Sequence, residues 1–220
     1  MVLKYKCLVL DHDDTVMQSE KTLCYPCFVL TMQRLRPGVN VTLEDYIRDC
    51  HTMGFYDMCK VKYGFSDEEM DEEYADWKAY ILTHAAEPFE GVERIVRKQK
   101  ELGGLVCVAS LSSEAIITRD YRAHIGLMPD GIYGSDYPIE QQKPNSYPIL
   151  AIMERFGLMP EEILVLDDSK IGYNMAKGAG VKIAFAAWSK EGFPDVMADM
   201  QALCDYTFHR VTDFEDFLFT

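Results

Sequence analysis

Hydrophobic positions fall into two patterns along the chain. Short, unbroken apolar runs occur at CLVL (7–10), LVCVAS (105–110), EILVLDD (162–168) and VKIAFAAW (181–188). Runs this short and this rich in Val and Ile predict buried strands. Between them the apolar residues take helical spacing. Val92, Ile95 and Val96 open a predicted helix that ends at Gly103-Gly104, residues suited to a C-cap. Ile149, Ile152, Met153 and Phe156 recur at i, i+3, i+4 and i+7, with Pro148 in the first turn and Gly157 after the last. Strand and helix in alternation predict an α/β fold, a doubly wound parallel sheet with helices on both faces.

Residues 18–88 break this rhythm and contain no predicted strand. Leu43, Tyr46, Ile47 and Cys50 form one helical stripe, begun by Thr42 as N-cap. Met70, Tyr74, Trp77 and Ile81 form a second, with Ser66 and Glu69 as a capping box. The acidic run SDEEMDEEYAD is read as a solvated helix face with its acids near the positive end. The predicted organisation is a core domain made of residues 1–17 and 89–220, interrupted by an α-helical insert at 18–88.

Composition narrows the function. The 220 residues are 48% apolar and 26% charged, as in ordinary globular proteins. Lys and Arg number 22 against 36 Asp and Glu, a net charge of −14. Such a surface does not replace the counterions of a phosphate backbone, so no nucleic-acid partner is expected. An anionic membrane surface is disfavoured for the same reason. No apolar run reaches the length of a membrane span. Lys4 and Lys6 interrupt the N-terminal apolar residues, which argues against a signal peptide. Seven scattered cysteines are read as reduced thiols in a cytoplasmic protein. CYPC (24–27) has the spacing of a redox motif but lacks the strand-to-helix setting of one, and is read as two thiols near a helix start.

The chemistry gathers at the strand ends. In a parallel sheet, ligands bind beyond the carboxyl ends of the strands, near a switch in strand order. The first run delivers Asp11 and Asp13, the second Ser110, and the third Asp167 and Asp168; Lys143 lies in QQKPN, just before a helix. Two carboxylates about 5 Å apart repel by roughly 3 kcal/mol at an effective dielectric near 20. A hard cation relieves this, and Mg²⁺ takes one or two carboxylates together with substrate phosphate oxygens. A hydroxyl and an ammonium suit the other phosphate oxygens. One aspartate can attack phosphorus, and a second, two residues on, can serve as acid and base. The competing readings are structural. Asp13, Asp14 and Thr15 match helix caps. The start of a calcium loop fails at Val16 and Thr22, which stand where Gly and Glu are required. No phosphate-binding Gly-x-x-x-x-Gly-Lys-Ser/Thr loop exists in the chain. The five histidines show no ligand spacing and are read as packing or surface residues, His12 lying near the site.

This arrangement resembles the haloacid dehalogenase superfamily, in its helical-cap branch similar to phosphoglycolate phosphatases and beta-phosphoglucomutases. The residues that carry the resemblance are Asp11-His12-Asp13-Asp14-Thr15 after an apolar strand, Ser110, Lys143-Pro144, and DDSKIGYNMAKGAG from Asp167 to Gly180, in the family's order over nearly the whole chain. The resemblance implies a Rossmann-like core with a helical cap, and a Mg²⁺-dependent phosphatase of a small phosphorylated metabolite. It implies Asp11 as nucleophile and metal ligand. Asp13 becomes the acid/base, its carbonyl also on the metal, and Asp168 a metal ligand with Asp167 as acidic support. Ser110 and Lys143 become the phosphoryl holders. The presence of Asp13 favours phosphate esters over carbon–halogen or carbon–phosphorus substrates. Phe55 and Tyr56, in MGFYDMC (53–59), fall where a substrate-specificity loop is expected. Two positions depart from the pattern: Asp14 stands where Gly is usual, and Leu111 where Asn is common. Two alternatives accompany this reading. One is a sugar-phosphate mutase, although Leu23 occupies the place of the mutases' cap histidine. The other is a non-catalytic phospho-accepting or regulatory module.

Overall fold

The computed structural model describes residues 3–220. The chain divides into two compact units, one combining the residues up to Met17 with Glu87–Thr220, the other being Gln18–Ala86. No helix among the described residues is long and apolar enough to cross a membrane.

The first unit is built on six parallel strands: β1 (Cys7–Leu10), β2 (Leu105–Ala109), β3 (Gly131–Tyr133), β4 (Ile163–Asp167), β5 (Lys182–Ala186) and β6 (Tyr206–Phe208), in the order β3-β2-β1-β4-β5-β6. Side chains alternate across a strand. Cys7, Val9, Cys107, Ala109, Ile163, Val165 and Ile183 meet Ile149, Ile152, Met175 and Ala176 in one core. The intervening Leu8, Leu10, Val106, Val108, Leu164 and Leu166 are also fully buried. Both faces of the sheet are therefore covered, which explains why the strands read as unbroken apolar runs. The fold is the expected doubly wound, Rossmann-like α/β core.

β3 and β6 are absent from the sequence reading. Each has three residues, Gly-Ile-Tyr and Tyr-Thr-Phe, too few to make an apolar run. They are strands because β2 and β5 present hydrogen-bonding edges to them. The predicted strands at 105–110, 162–168 and 181–188 are trimmed at their ends, so that Ser110 and Asp168 lie just past β2 and β4.

The second unit is helical. A π-helical turn, Glu20–Cys24, runs into α1 (Tyr25–Leu35), followed by α2 (Leu43–Thr52), a single turn α3 (Phe55–Asp57), a second π-helical stretch (Met58–Lys62) and α4 (Asp67–Thr83). Thr42 caps α2 through Asp45 N–H, and Ser66 and Glu69 form the capping box of α4. Phe28 centres an aromatic cluster, its ring 5.4 Å from Tyr46, 5.7 Å from Phe55 and 5.8 Å from Tyr63. Arg36 donates to both Glu69 carboxylate oxygens and to the carbonyls of Tyr63 and Gly64, tying the loop before α4 to the end of α1. The expected stripe on α4 is corrected: Tyr74 is exposed, while Glu73 is buried with Ile81. All seven cysteines are free thiols, with Cys24 at the N-cap of α1 and Cys27 buried one turn later.

The remaining helices belong to the first unit: α5 (Val92–Glu101), α6 (Glu114–Asp120), α7 (Tyr147–Phe156), α8 (Lys170–Gly178), α9 (Pro194–Leu203) and α10 (Val211–Phe219). α7 starts with Pro148 in its first turn and stops at Gly157, whose φ of +64° is left-handed.

Candidate active site

β1 and β4 are neighbours in space and lie at the point where the strand order reverses, between the β1-β2-β3 side and the β4-β5-β6 side. The Asp11 N–H donates to Leu166 O at 2.9 Å, carrying the pairing one residue past β1. This sets Asp11 beside Asp167 and Asp168. The carboxylates of the three are buried and lie within 4.8 Å of one another.

After Asp11 the chain turns sharply. Val16 and Met17 N–H both donate to His12 O, at 3.1 and 2.9 Å. Asp14 at the apex has φ +55°, the one left-handed non-glycine residue among those described. Asp tolerates this conformation better than most side chains, which is why it can stand in the place of Gly. Residues 13–17 form turns and isolated bridges, so the reading of Asp13, Asp14 and Thr15 as helix caps does not hold.

Lys143 binds the first pair of acids. Its buried Nζ donates to Asp11 Oδ1 at 2.7 Å and Asp167 Oδ2 at 2.8 Å. The other Asp167 oxygen accepts from Ser169 N–H at 2.9 Å and Ser169 Oγ at 2.7 Å. Burial raises the Asp11 pKa well above the ordinary carboxylate range; Lys143 opposes the shift, and Asp167, Asp168 and Asp13 add to it. Burial disfavours the Lys143 ammonium, but Asp11 and Asp167 outweigh burial and hold the lysine above its ordinary value.

Asp13 points to the end of β2. Its Oδ2 accepts from Ser112 Oγ at 2.6 Å and, at 3.4 Å, from Ser110 Oγ. Ser110 Oγ in turn accepts from Ser112 N–H at 3.0 Å. Asp168 accepts from Thr15 Oγ1 at 3.4 Å and pairs with Lys190 at 2.7 Å; Lys190 also reaches Asp14 at 3.1 Å. Asp11, Asp13, Ser110, Lys143, Asp167 and Asp168 thus surround one rim.

Three neighbours were not read from the sequence as site residues. Ser112 and Lys190 sit in no motif, and their roles arise from contacts across 99 and 176 residues of chain. His12 is fully buried, with Nε2 3.1 Å from Asp120 Oδ2 and its ring stacked on Tyr121. Asp120 is held below its ordinary pKa: burial pushes it up, and the hydrogen bonds from His12 and Arg119 outweigh that. Phe55 and Tyr56 belong to the helical unit, where Phe55 packs edge-on against Phe28 and Tyr56 is 60% exposed.

Comparison with known proteins agrees with this geometry. The family model of haloacid dehalogenase-like hydrolases matches residues 8–186, a span that includes every acid of the rim. A phosphoglycolate phosphatase from Thiobacillus denitrificans is 23% identical over 219 residues, covering 91% of this chain and 92% of its own. Among solved structures, a Bacteroides fragilis protein described as a haloacid dehalogenase-like hydrolase superposes with a TM-score of 0.79 at 19% identity, covering 96% of this chain and all of its own. A mutant of CbbY from Rhodobacter sphaeroides, solved with xylulose-(1,5)bisphosphate, gives 0.70 at 19% identity and covers 95% and 96%. With the matched segment running from β1 to the end of β5 and carrying the aspartates of both strand ends, the chain belongs to the haloacid dehalogenase-like hydrolase family.

Proposed function

We propose that this hydrolase is a Mg²⁺-dependent phosphatase that cleaves a small phosphomonoester through an aspartyl-phosphate on Asp11. The observation that carries the reading is the paired hold on the two reacting acids. Lys143 binds Asp11 Oδ1, so Oδ2 is the oxygen left to attack, while Ser112 orients Asp13 two residues away.

In the first step Asp11 Oδ2 bonds to phosphorus, the ester P–O bond breaks, and Asp13 gives its proton to the leaving oxygen. In the second, Asp13 takes a proton from water, whose oxygen attacks phosphorus. Inorganic phosphate leaves and Asp11 is restored. Ser110 and Lys143 hold the phosphoryl oxygens during both steps. The donor set fits a hard cation, being made of buried carboxylates at close range. Asp11, Asp168 and the Asp13 carbonyl would hold Mg²⁺, which supplies neutralising charge to the phosphoryl group. Asp167, with Lys143 on one oxygen and Ser169 on the other, supports these groups rather than ligating.

The names of the relatives, phosphoglycolate phosphatase and a xylulose bisphosphate complex, favour a small anionic metabolite as substrate. Phe55 and Tyr56 are our proposed selectors of its leaving group. The buried Leu23 offers no proton-transferring side chain, which favours hydrolysis over a mutase. The free thiols favour a cytoplasmic setting.

The test is phosphate release from p-nitrophenyl phosphate and a panel of metabolite esters, with Mg²⁺ or with EDTA. Wild type with Mg²⁺ should turn over. Asp11→Asn should lose roughly a thousandfold or more, because the nucleophile is gone. No release from any ester, and no acyl-phosphate trapped on Asp11, would overturn the proposal.

A further inference from the structure

Lys190 takes no part in the reaction as written, yet it is buried at the rim. It follows the 3₁₀ turn after β5, where its N–H donates to Ala187 O at 3.1 Å and its carbonyl accepts from Phe193 N–H at 3.1 Å. The backbone is thereby anchored, and the side chain reaches Asp168 Oδ2 at 2.7 Å and Asp14 Oδ2 at 3.1 Å. The rim therefore holds two bridging lysines: Lys143 joins Asp11 to Asp167, and Lys190 joins Asp14 to Asp168.

The two bridges are not equivalent. Lys143 engages Asp11 through one oxygen and is the proposed holder of the phosphoryl group. Lys190 engages Asp168, the proposed metal ligand. An ammonium and a divalent cation compete for that carboxylate and repel each other. Asp14 changes the balance. It gives the ammonium a second partner, and the flexible lysine stem lets the ammonium shift toward it. Without Lys190, Asp14 would add a buried negative charge beside the site, and without Asp14, Lys190 would oppose the ion. Together they add no net charge to the rim.

We propose that Lys190 is a positioning residue for the metal site: it holds Asp168 when no cation is bound and is retained by Asp14 when one binds. The pair then sets how tightly the protein keeps its ion. The inference rests on Asp168 being a metal ligand, as proposed above.

The test is metal affinity of the full chain. Mn²⁺ is titrated with electron paramagnetic resonance of the free ion as readout, and Mg²⁺ by calorimetry. Lys190→Met keeps a comparable stem without the charge and should tighten Mn²⁺ binding by roughly tenfold, the scale of one unit charge a few ångströms from the ion in a hydrated site. Asp14→Asn keeps a side chain that tolerates the left-handed backbone and should weaken binding by roughly the same factor. Lys190→Arg should stay within roughly threefold of wild type, since the charge is kept. A residue that merely packs does not produce shifts of opposite sign. Melting in EDTA reports folding of each variant; if Lys190→Met does not fold, the direction of the Asp14→Asn shift decides alone. Unchanged or weaker binding in Lys190→Met, or unchanged or tighter binding in Asp14→Asn, overturns the proposal. Wild type that binds neither ion removes the metal from the proposed function and this inference with it. Wild-type binding that the variants leave unmoved removes this inference only.

Discussion

Asp14 and Glu73 are both acids whose surroundings, rather than their type, decide what they do. Asp14 is the third carboxylate of a five-residue stretch, and no local sequence pattern names its partner. The structure puts it at a left-handed turn and sets Lys190 3.1 Å away, so the residue that departs from the family pattern arrives with its own counter-ion. Glu73 reads as one of many acids on a solvated helix face, but it is 8% exposed. Burial, with Asp76 adding repulsion, pushes its pKa from the ordinary 4.5 to about 7. Between these values the folded chain holds a proton that the unfolded chain has lost. Stability is therefore greatest below the lower value and falls as pH rises through the upper one. Glu73→Gln removes this loss. Thermal melts at pH 5 and pH 8 should show wild type declining between them and the variant much flatter, with a gain at pH 8 on the order of 2 kcal/mol. Equal slopes for the two proteins would show that Glu73 ionises normally. The acids proposed to react, Asp11 and Asp13, stand out in the sequence because they lie two residues apart. Ser112 and Lys190 do not, because no local pattern marks them: Ser112 meets Asp13, and Lys190 meets Asp14, across a long stretch of chain, and Lys190 meets Asp168 only once α8 and β5 have packed between them.

Elements were legible wherever they carry their own signal. β1, β2, β4 and β5 show as apolar runs because both faces of the sheet are covered, and Thr42, Ser66, Pro148 and Gly157 mark helix ends by local chemistry alone. β3 and β6 carry no such signal, since their strand character comes from an edge offered by a neighbour. α4 misled the pattern because a buried glutamate breaks the apolar stripe on which the prediction relied. The start of α8 ties an element to the site. Ser169 caps it through Gly172 N–H and also holds Asp167. A Cβ at Gly172 would overlap the Asp167 carboxylate. The glycine is thus required by the approach of helix to acid, not by its φ. Gly172→Ala should displace Asp167, destabilise the protein by about 1–3 kcal/mol, and lower phosphatase turnover at least roughly tenfold. A melting temperature and activity equal to wild type would show that α8 yields without cost.

At the scale of the molecule, the sheet order makes one rim from distant motifs. Asp11 and Asp167 are far apart in the chain, yet Leu10 and Leu166 stand in register on adjacent strands, so the next residues converge. The rim gathers five carboxylates against two ammonium groups. A cation that binds only the folded state relieves that excess. Millimolar Mg²⁺ should therefore raise the melting temperature above that in EDTA by a few degrees, following the usual linkage of binding to folding. No shift in wild type up to about 10 mM, well above the affinity expected of a working Mg²⁺ site, would count against the metal. The chain by itself determined the α/β class, the four central strands, the helix caps and the residue types at each strand end, because these follow from local spacing and from the burial each run demands. Only the tertiary structure decided which acids become partners, that Lys143 and Lys190 divide them into two bridged pairs, that Ser112 holds Asp13, and that Glu73 is buried. Such contacts join residues far apart in sequence, and no local pattern encodes a distance that only the folded sheet creates.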